Sequence, residues 1–316
     1  MNARHYVTAA LAVLATCAPI DMALAQMDML APPAGSCQLE LSGDTSIEWR
    51  GLYGRGYEVT SHEQNFEPVS LEVRHSGAAC DYYIVATPMS PRGENVLTNA
   101  GEKLYWDLLQ DTNGPTLVSR DFLGSLANQL GGRFGPVTAA QPITLFFTIL
   151  PGQFVRGGNY SGRILLRLFT TGDEGPELVA EQPIALIATV ASILEIRSDE
   201  FAGGQRELTL DLGDLSTAPQ RSIDFDLRSN ASIGVSFASL NRGLLAHQFN
   251  APGVPYDVRM NGFEIPLDYP RSQPLDLMAP GGSQSATIEI IVPPATDMLA
   301  AGHYTDALTI TFTGDP

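Results

Sequence analysis

PGQFVRGGNYSGRILLRLF, residues 151–169, returns near the end of the chain as PPATDMLAAGHYTDALTITF, residues 293–312. Each copy runs from a proline through a Gly-x-Tyr step, Gly158-Asn-Tyr160 and Gly302-His-Tyr304, into alternating residues. The apolar positions are Ile164, Leu166 and Leu168 in one copy and Leu308, Ile310 and Phe312 in the other. A period of two is the signature of a strand with one buried face.

Two further segments repeat, each ahead of the quoted stretch in its own half. Leu71-Glu-Val73-Arg74 matches Phe225-Asp-Leu227-Arg228, and Tyr105-Trp106-Asp107-Leu108 matches Pro255-Tyr256-Asp257-Val258. The offsets of the three matches are 154, 150 and 144 residues, so order is kept while loops change length. A repeat of this kind predicts two related units in series. Short alternating runs recur throughout, among them Val69–Val73, Tyr82–Ala86, Thr144–Leu150, Leu208–Leu212, Ile223–Leu227, Ile233–Phe237 and Ala286–Val292. Gly, Pro, Asn and Ser separate them, and the best helical candidate, Arg120–Leu130, is short enough to be a loop. The expected class is all-β, two tandem antiparallel β-sandwiches of the immunoglobulin-like pilin type.

The chain opens with Arg4, an apolar run from Tyr6 and the small-residue triplet Ala23-Leu24-Ala25, the pattern of a secretory signal peptide spanning 1–25. The expected domains are then 26–190 and 191–316, and the product is exported: periplasmic in transit, then at the cell surface or secreted. Acidic residues outnumber basic ones 35 to 18, and the formal charge is −17. That balance argues against nucleic acid and anionic membranes as partners. With Cys17 in the leader, Cys37 and Cys80 remain in an oxidising destination, which favours a disulfide over a reactive thiol pair without CxxC spacing.

The halves end differently. After Phe169 the chain continues through Thr171-Gly-Asp-Glu-Gly-Pro176 into the apolar residues of 178–190, a further paired strand; after Phe312 only Thr313-Gly-Asp-Pro316 remain. The second sandwich is therefore expected to lack its final strand. Unpaired edges aggregate unless filled, and a strand donated by another chain is the physical remedy. The expected groove lies between Ile193 and Ile196 on one side and Leu308, Ile310 and Phe312 on the other. The alternative is that 193–196 completes the second sandwich by another topology.

These residues resemble the spore coat protein U domain family, which includes subunits of archaic, Csu-type chaperone-usher pili. The resemblance rests on Cys37 with Cys80, on Trp106-Asp107-Leu108, and on Pro151-Gly-Gln153 leading to Gly158-Asn-Tyr160-Ser-Gly162, with Ala301-Gly-His-Tyr304-Thr-Asp306 repeating the ending. It implies an exported β-sandwich subunit held by a periplasmic chaperone, passed to an outer-membrane usher and joined to an adjacent pilin by strand donation. Ordinary members carry an N-terminal donor segment, whereas residues 26–36 here include Pro32 and Pro33, which cannot donate ladder hydrogen bonds. The implied place is the fibre tip, as an adhesin for abiotic or host surfaces and biofilm formation, with no cofactor.

No metal-ligand spacing relates His62, His75, His247 and His303, and no catalytic constellation stands out, so an enzyme is not expected. The candidate adhesive residues are apolar and lie in punctuated loops: Leu52, Tyr53 and Tyr57 among glycines, Met89 between prolines and Phe134 after Gly132. Core packing is the competing reading for each. The rival function is a secreted, spore-coat-like structural protein whose two sandwiches are both self-complete.

Overall fold

A computed structural model describes residues 36–172, 175–201, 206–268, 275–278, 282–294 and 298–315. The expected signal peptide and the prolines at 32 and 33 lie outside the described residues. No α-helix occurs among those described; three short 3-10 turns interrupt an all-strand chain.

The first sandwich comprises β1 (Cys37–Gly43), β2 (Ser46–Trp49), β3 (Glu67–Gly77), β4 (Cys80–Pro88), β5 (Val96–Asn99), β6 (Glu102–Leu109), β7 (Leu130–Phe134), β8 (Ala139–Ile149), β9 (Gly158–Gly172) and β10 (Gly175–Val190). Strands β1-β3-β8-β6 form one layer and β7-β4-β9-β10-β2 the other, with β5 pairing both β6 and β9. The inward residues of each alternation fill the space between layers. Trp106 and Phe147 pack at 5.7 Å between ring centroids, Trp49 meets Phe147 edge-on, and Ile164, Leu166 and Leu168 are sealed from water. A disulfide joins Cys37 on β1 to Cys80 on β4, bridging the layers at one pole.

The second sandwich comprises β11 (Leu194–Arg197), β12 (Gln220–Ser229), β13 (Ser232–Ser239), β14 (Leu244–His247), β15 (Val254–Pro255), β16 (Asp257–Met260), β17 (Phe263–Ile265), β18 (Leu275–Met278), β19 (Gly282–Ile291), β20 (Tyr304–Thr305) and β21 (Leu308–Asp315). Its sheets run β11-β12-β19-β16-β17, β18-β13-β21 and β15-β14-β20. A separate buried cluster built on Phe225, Leu227, Val235, Phe237, Val258, Met260 and Ile288 forms its core.

The sequence repeat is a repeat of pairing. Leu166 of β9 lies opposite Ala86 of β4, and Ile310 of β21 lies opposite Phe237 of β13. The β3–β8 and β6–β8 pairs correspond to β12–β19 and β16–β19, and in both sandwiches the chain then crosses to the other sheet, from β3 to β4 and from β12 to β13. The expected strand 208–212 is not formed: among the described residues this segment pairs with no neighbour. In the first sandwich the corresponding strand, β2, exists by pairing in parallel with β10. Among the described residues no counterpart of β10 lies beside β21, so the backbone groups of 208–212 have no such ladder to join.

Candidate functional site: an open slot beside the last strand

Strand β9 is paired on both sides, to β4 and, over Gly158–Gly172, to β10. The inward side chains of β10, Ile184, Leu186, Ala188 and Val190, close the layer above Ile164, Leu166 and Leu168. Strand β21 is paired to β13 alone among the described residues. Its inward side chains, Leu308, Ile310 and Phe312, pack on the second core yet remain half-buried. The same register thus gives a sealed row in one sandwich and an open row in the other, and the difference is one strand.

The opposite wall of the slot differs from expectation. Ile193 packs against the first core, and Ile196 is an exposed residue of β11. Ile193 is held there because Asn230 reaches across from the β12–β13 turn: its Oδ1 accepts from Ile193 N at 2.8 Å and its Nδ2 donates to Ala191 O at 2.9 Å. Leu194, Leu210 and Leu212 are the apolar residues that pack, partly buried, on the second core instead. Phe201 and Phe312 flank Phe225, with ring centroids 5.9 and 5.4 Å away. The alternation in Leu208–Leu212 was the sequence signal for this wall.

The turn leading into β21 is pinned by Asp306. Its carboxylate accepts from the hydroxyls of Tyr256 and Ser239 and from the backbone N–H of Asn241. Burial, reinforced by this carboxylate, pushes the Tyr256 phenol well above its ordinary range. The corresponding step in the first sandwich is held by Tyr160, whose hydroxyl donates to Arg156 O and whose burial raises it to about 12.

The five candidate adhesive residues do not converge. Tyr53 is 88% exposed, with φ of 63°, in a 3-10 turn beside Leu52, and Met89 is exposed after β4. Tyr57 is instead core: it bridges to Val190, and its hydroxyl donates to Leu150 O and accepts from Gln153 N. Phe134 is also core, stacked between His75 at 4.9 Å and Tyr82 at 5.3 Å, because it belongs to β7 and faces inward. Tyr53 and Leu52 sit at the pole adjoining the second sandwich, since the following residues pair with the exit of β10.

An apolar surface that the sequence reading passed over lies on the outer face of β4 and β9. Tyr83, Val85 and Phe169 form a small cluster there, covered by residues 119–128. That loop exposes Phe122, Leu123 and Leu126, and beside it opens a cleft of about 560 Å³ lined by Tyr82, Tyr83, Leu123, Leu126, Gly131 and Thr171. The signal was Phe122, Leu123 and Leu126 at helical spacing in a segment too short to form a helix.

Cys37, His75 and Cys80 bring three metal-ligating atoms within 4.8 Å of one another. The two sulfurs are bonded to each other, and both ring nitrogens of His75 lie 2.8 Å from carbonyl oxygens, of Val137 and Ala78. The donor set is spent within the protein. Asp107 accepts from Leu108 N and Thr116 Oγ1, whereas its repeat partner Asp257 is exposed, so the two do not share one structural role.

No protein-family model matches the chain, and no curated protein does. Among solved structures the chain is similar to the CsuC–CsuE chaperone–tip adhesion subunit pre-assembly complex of Acinetobacter baumannii, at 17% identity over 88% of this chain and 99% of that one, with a TM-score of 0.37. It is similar to the CupB6 tip adhesin of Pseudomonas aeruginosa at 15% identity over 87% and 93%, with a TM-score of 0.40. It is similar to AggA, the major subunit of aggregative adherence fimbriae type I of Escherichia coli, at 14% identity over 50% of this chain and 97% of that one, with a TM-score of 0.29. With likenesses this distant, the functional reading rests on the chain's own geometry.

Proposed function

We propose that the chain is the tip adhesin of an archaic chaperone-usher pilus: its second sandwich, 191–316, accepts a strand from a chaperone or an adjacent pilin, and its first, 37–190, contacts the surface to be colonised. The observation that carries the reading is the contrast between sealed Ile164, Leu166 and Leu168 and half-open Leu308, Ile310 and Phe312 in one register. Partial burial of a continuous apolar row beside free backbone groups is the state that strand addition relieves. The same contrast weighs against a coat protein with two self-complete sandwiches. Export, the usher and biofilm formation follow from the family resemblance.

We place attachment on the outer face of the first sandwich, where Phe122, Leu123 and Leu126 stand beside the cleft, because exposed apolar residues grouped on one loop mark an interaction surface.

Hydrogen exchange on the full chain tests the acceptor reading. An edge strand leaves every second amide without a ladder partner. The peptide covering 308–315 should exchange about half its amides quickly while the peptide covering 164–171 stays protected, and 308–315 should become protected in assembled fibres. Equal protection of the two peptides in the isolated chain would sink the proposal.

A further inference from the structure

The first sandwich contains a worked example of what happens where a closing strand leaves the fold. Strand β10 runs antiparallel to β9 and ends with Val190 opposite Gly158. The chain passes directly into the second sandwich, which seats on the loop before Gly158: Gly157 N donates to Asn230 O at 2.9 Å, and the Arg228 guanidinium lies 5.3 Å from the centre of the Phe154 ring. The Asn230 side chain bonds the connecting backbone at Ala191 and Ile193.

A strand filling the open slot in the same sense would leave beside Gly302, the counterpart of Gly158. The opposite end of the slot is closed to a folded partner, since Gly314 lies against Leu194, at the junction with the first sandwich. At the Gly302 end, Leu240 N donates to Ala307 O, Gln248 N donates to His303 O, and the segment that follows Met298 is tied in through Ala300 O, which accepts from the Tyr304 hydroxyl, and Ala301 O beside His247 Nε2, so the loops bearing Leu240, Phe249 and Met298 share one pole. These three side chains are 76%, 78% and 99% exposed. Single exposed apolar residues are ordinary on any surface. Three at the pole where a closing strand must exit, where the corresponding loop of the first sandwich is covered through Phe154 and Gly157, are not.

We infer that the pole carrying Leu240, Phe249 and Met298 seats the folded body of the subunit whose strand fills the slot, repeating between chains the junction that the two sandwiches make within this one. The inference rests on the acceptor reading. It commits to one occupant, a β-sandwich subunit presenting apolar side chains beside the residues that follow its donated strand.

The test places a photo-crosslinking amino acid at Ile310 in the slot, or at Phe249 on the pole, in the full chain within its native cells, and maps each crosslink by mass spectrometry. The expected result is one partner polypeptide for both sites, joined to Ile310 through an extended segment and to Phe249 through the folded domain that follows it. Adding Leu240→Ser and Met298→Ser should lower the Phe249 crosslink at least tenfold and leave the Ile310 crosslink unchanged. A slot crosslink with a silent pole, or a pole joined to a different protein or to a second copy of this chain, overturns the inference while the acceptor reading stands. A slot without any crosslink overturns both.

Discussion

Leu166→Ala and Ile310→Ala remove a comparable side chain from the same place in two copies of one fold, so their costs measure the open slot directly. Leu166 is sealed beneath β10, and its truncation leaves a cavity lined by a rigid core. Large-to-small changes at such sites cost about 2–5 kcal/mol, the higher values coming from cavities that cannot collapse. Ile310 is half-buried, so only part of its apolar area leaves water on folding, and the space left by alanine opens to solvent. On area alone, full burial of such a side chain is worth about 2–3 kcal/mol, so half burial gives a cost of about 1 kcal/mol. The two sandwiches can be followed separately in the intact chain. Both tryptophans, Trp49 and Trp106, lie in the first core, so tryptophan emission reports the first sandwich while far-ultraviolet circular dichroism reports strands in both. With a urea dependence of about 2 kcal/mol per molar, Leu166→Ala should lower the emission midpoint by about 1–2.5 M, and Ile310→Ala should lower the dichroism phase absent from emission by about 0.5 M. Equal costs at the two positions would mean that β21 is already covered, and the slot would have to be abandoned.

Replacing both Cys37 and Cys80 with alanine removes a crosslink spanning 43 residues, worth about 4 kcal/mol in the chain-entropy model, and should lower the emission-detected melt without moving the second phase. Tyr160 is raised to about 12 by burial, above an unfolded value of about 10, so its contribution is complete below pH 10 and fades as pH rises from 10 to 12. Urea midpoints read by emission should fall across that window, and a flat profile would contradict the burial of its hydroxyl. Gly302 has φ of 153° and a Cβ there would lie against His247 Nε2, so Gly302→Ala should destabilise the second sandwich by about 1–3 kcal/mol, read by dichroism. Leu126→Ser and Tyr53→Ser both remove exposed apolar groups and should each change stability by less than about 0.5 kcal/mol; surface-binding assays should show loss only for Leu126→Ser, and the reverse order would move attachment to the turn at 52–54.

What the sequence disclosed was set by periodicity, and what it concealed was set by phase and partner. Alternation over Ile164–Leu168 and Leu308–Phe312 marked the two equivalent strands, because a period of two has one physical meaning when one face is buried. It could not show that Leu208–Leu212 stays unpaired, since pairing depends on a neighbour that the local pattern does not contain. Ile193 and Ile196 read equally well as an inward row. The structure turns Ile193 to the first core because Asn230, which in sequence is only the head of a glycosylation-like Asn-Ala-Ser triplet, is buried and bonds the connecting backbone. Phe134 and Tyr57 looked like loop residues because glycines surround them. The neighbours of Phe134, Gly131 and Gly132, are the reason it is core: they let β7 lie flat on β4, and a Cβ at Gly132 would collide with the Tyr82 ring.

The character of the free edge itself favours a filled slot over a tolerated defect. Proteins that keep an edge strand open guard it with charges, prolines, bulges or brevity. Strand β11 is four residues long and carries Glu195 and Arg197; β17 is three residues with Glu264 at its centre. Strand β21 has none of these devices across Leu308–Gly314. It alternates Leu308, Ile310 and Phe312 with Thr309, Thr311 and Thr313, holds an unbroken register with β13 from Ser239 to Ser232, and meets its first charge at Asp315. Threonine on the outward face and aliphatic or aromatic residues on the inward face are what a central strand presents. A central-type strand at an edge is a template for pairing with another strand. In the first sandwich that strand is β10, the next strand in the chain after β9, so closure there is local. In the second, no strand among the described residues lies beside β21, and the acceptor reading supplies one from another chain. The side chains and the backbone therefore make the same demand at the same place.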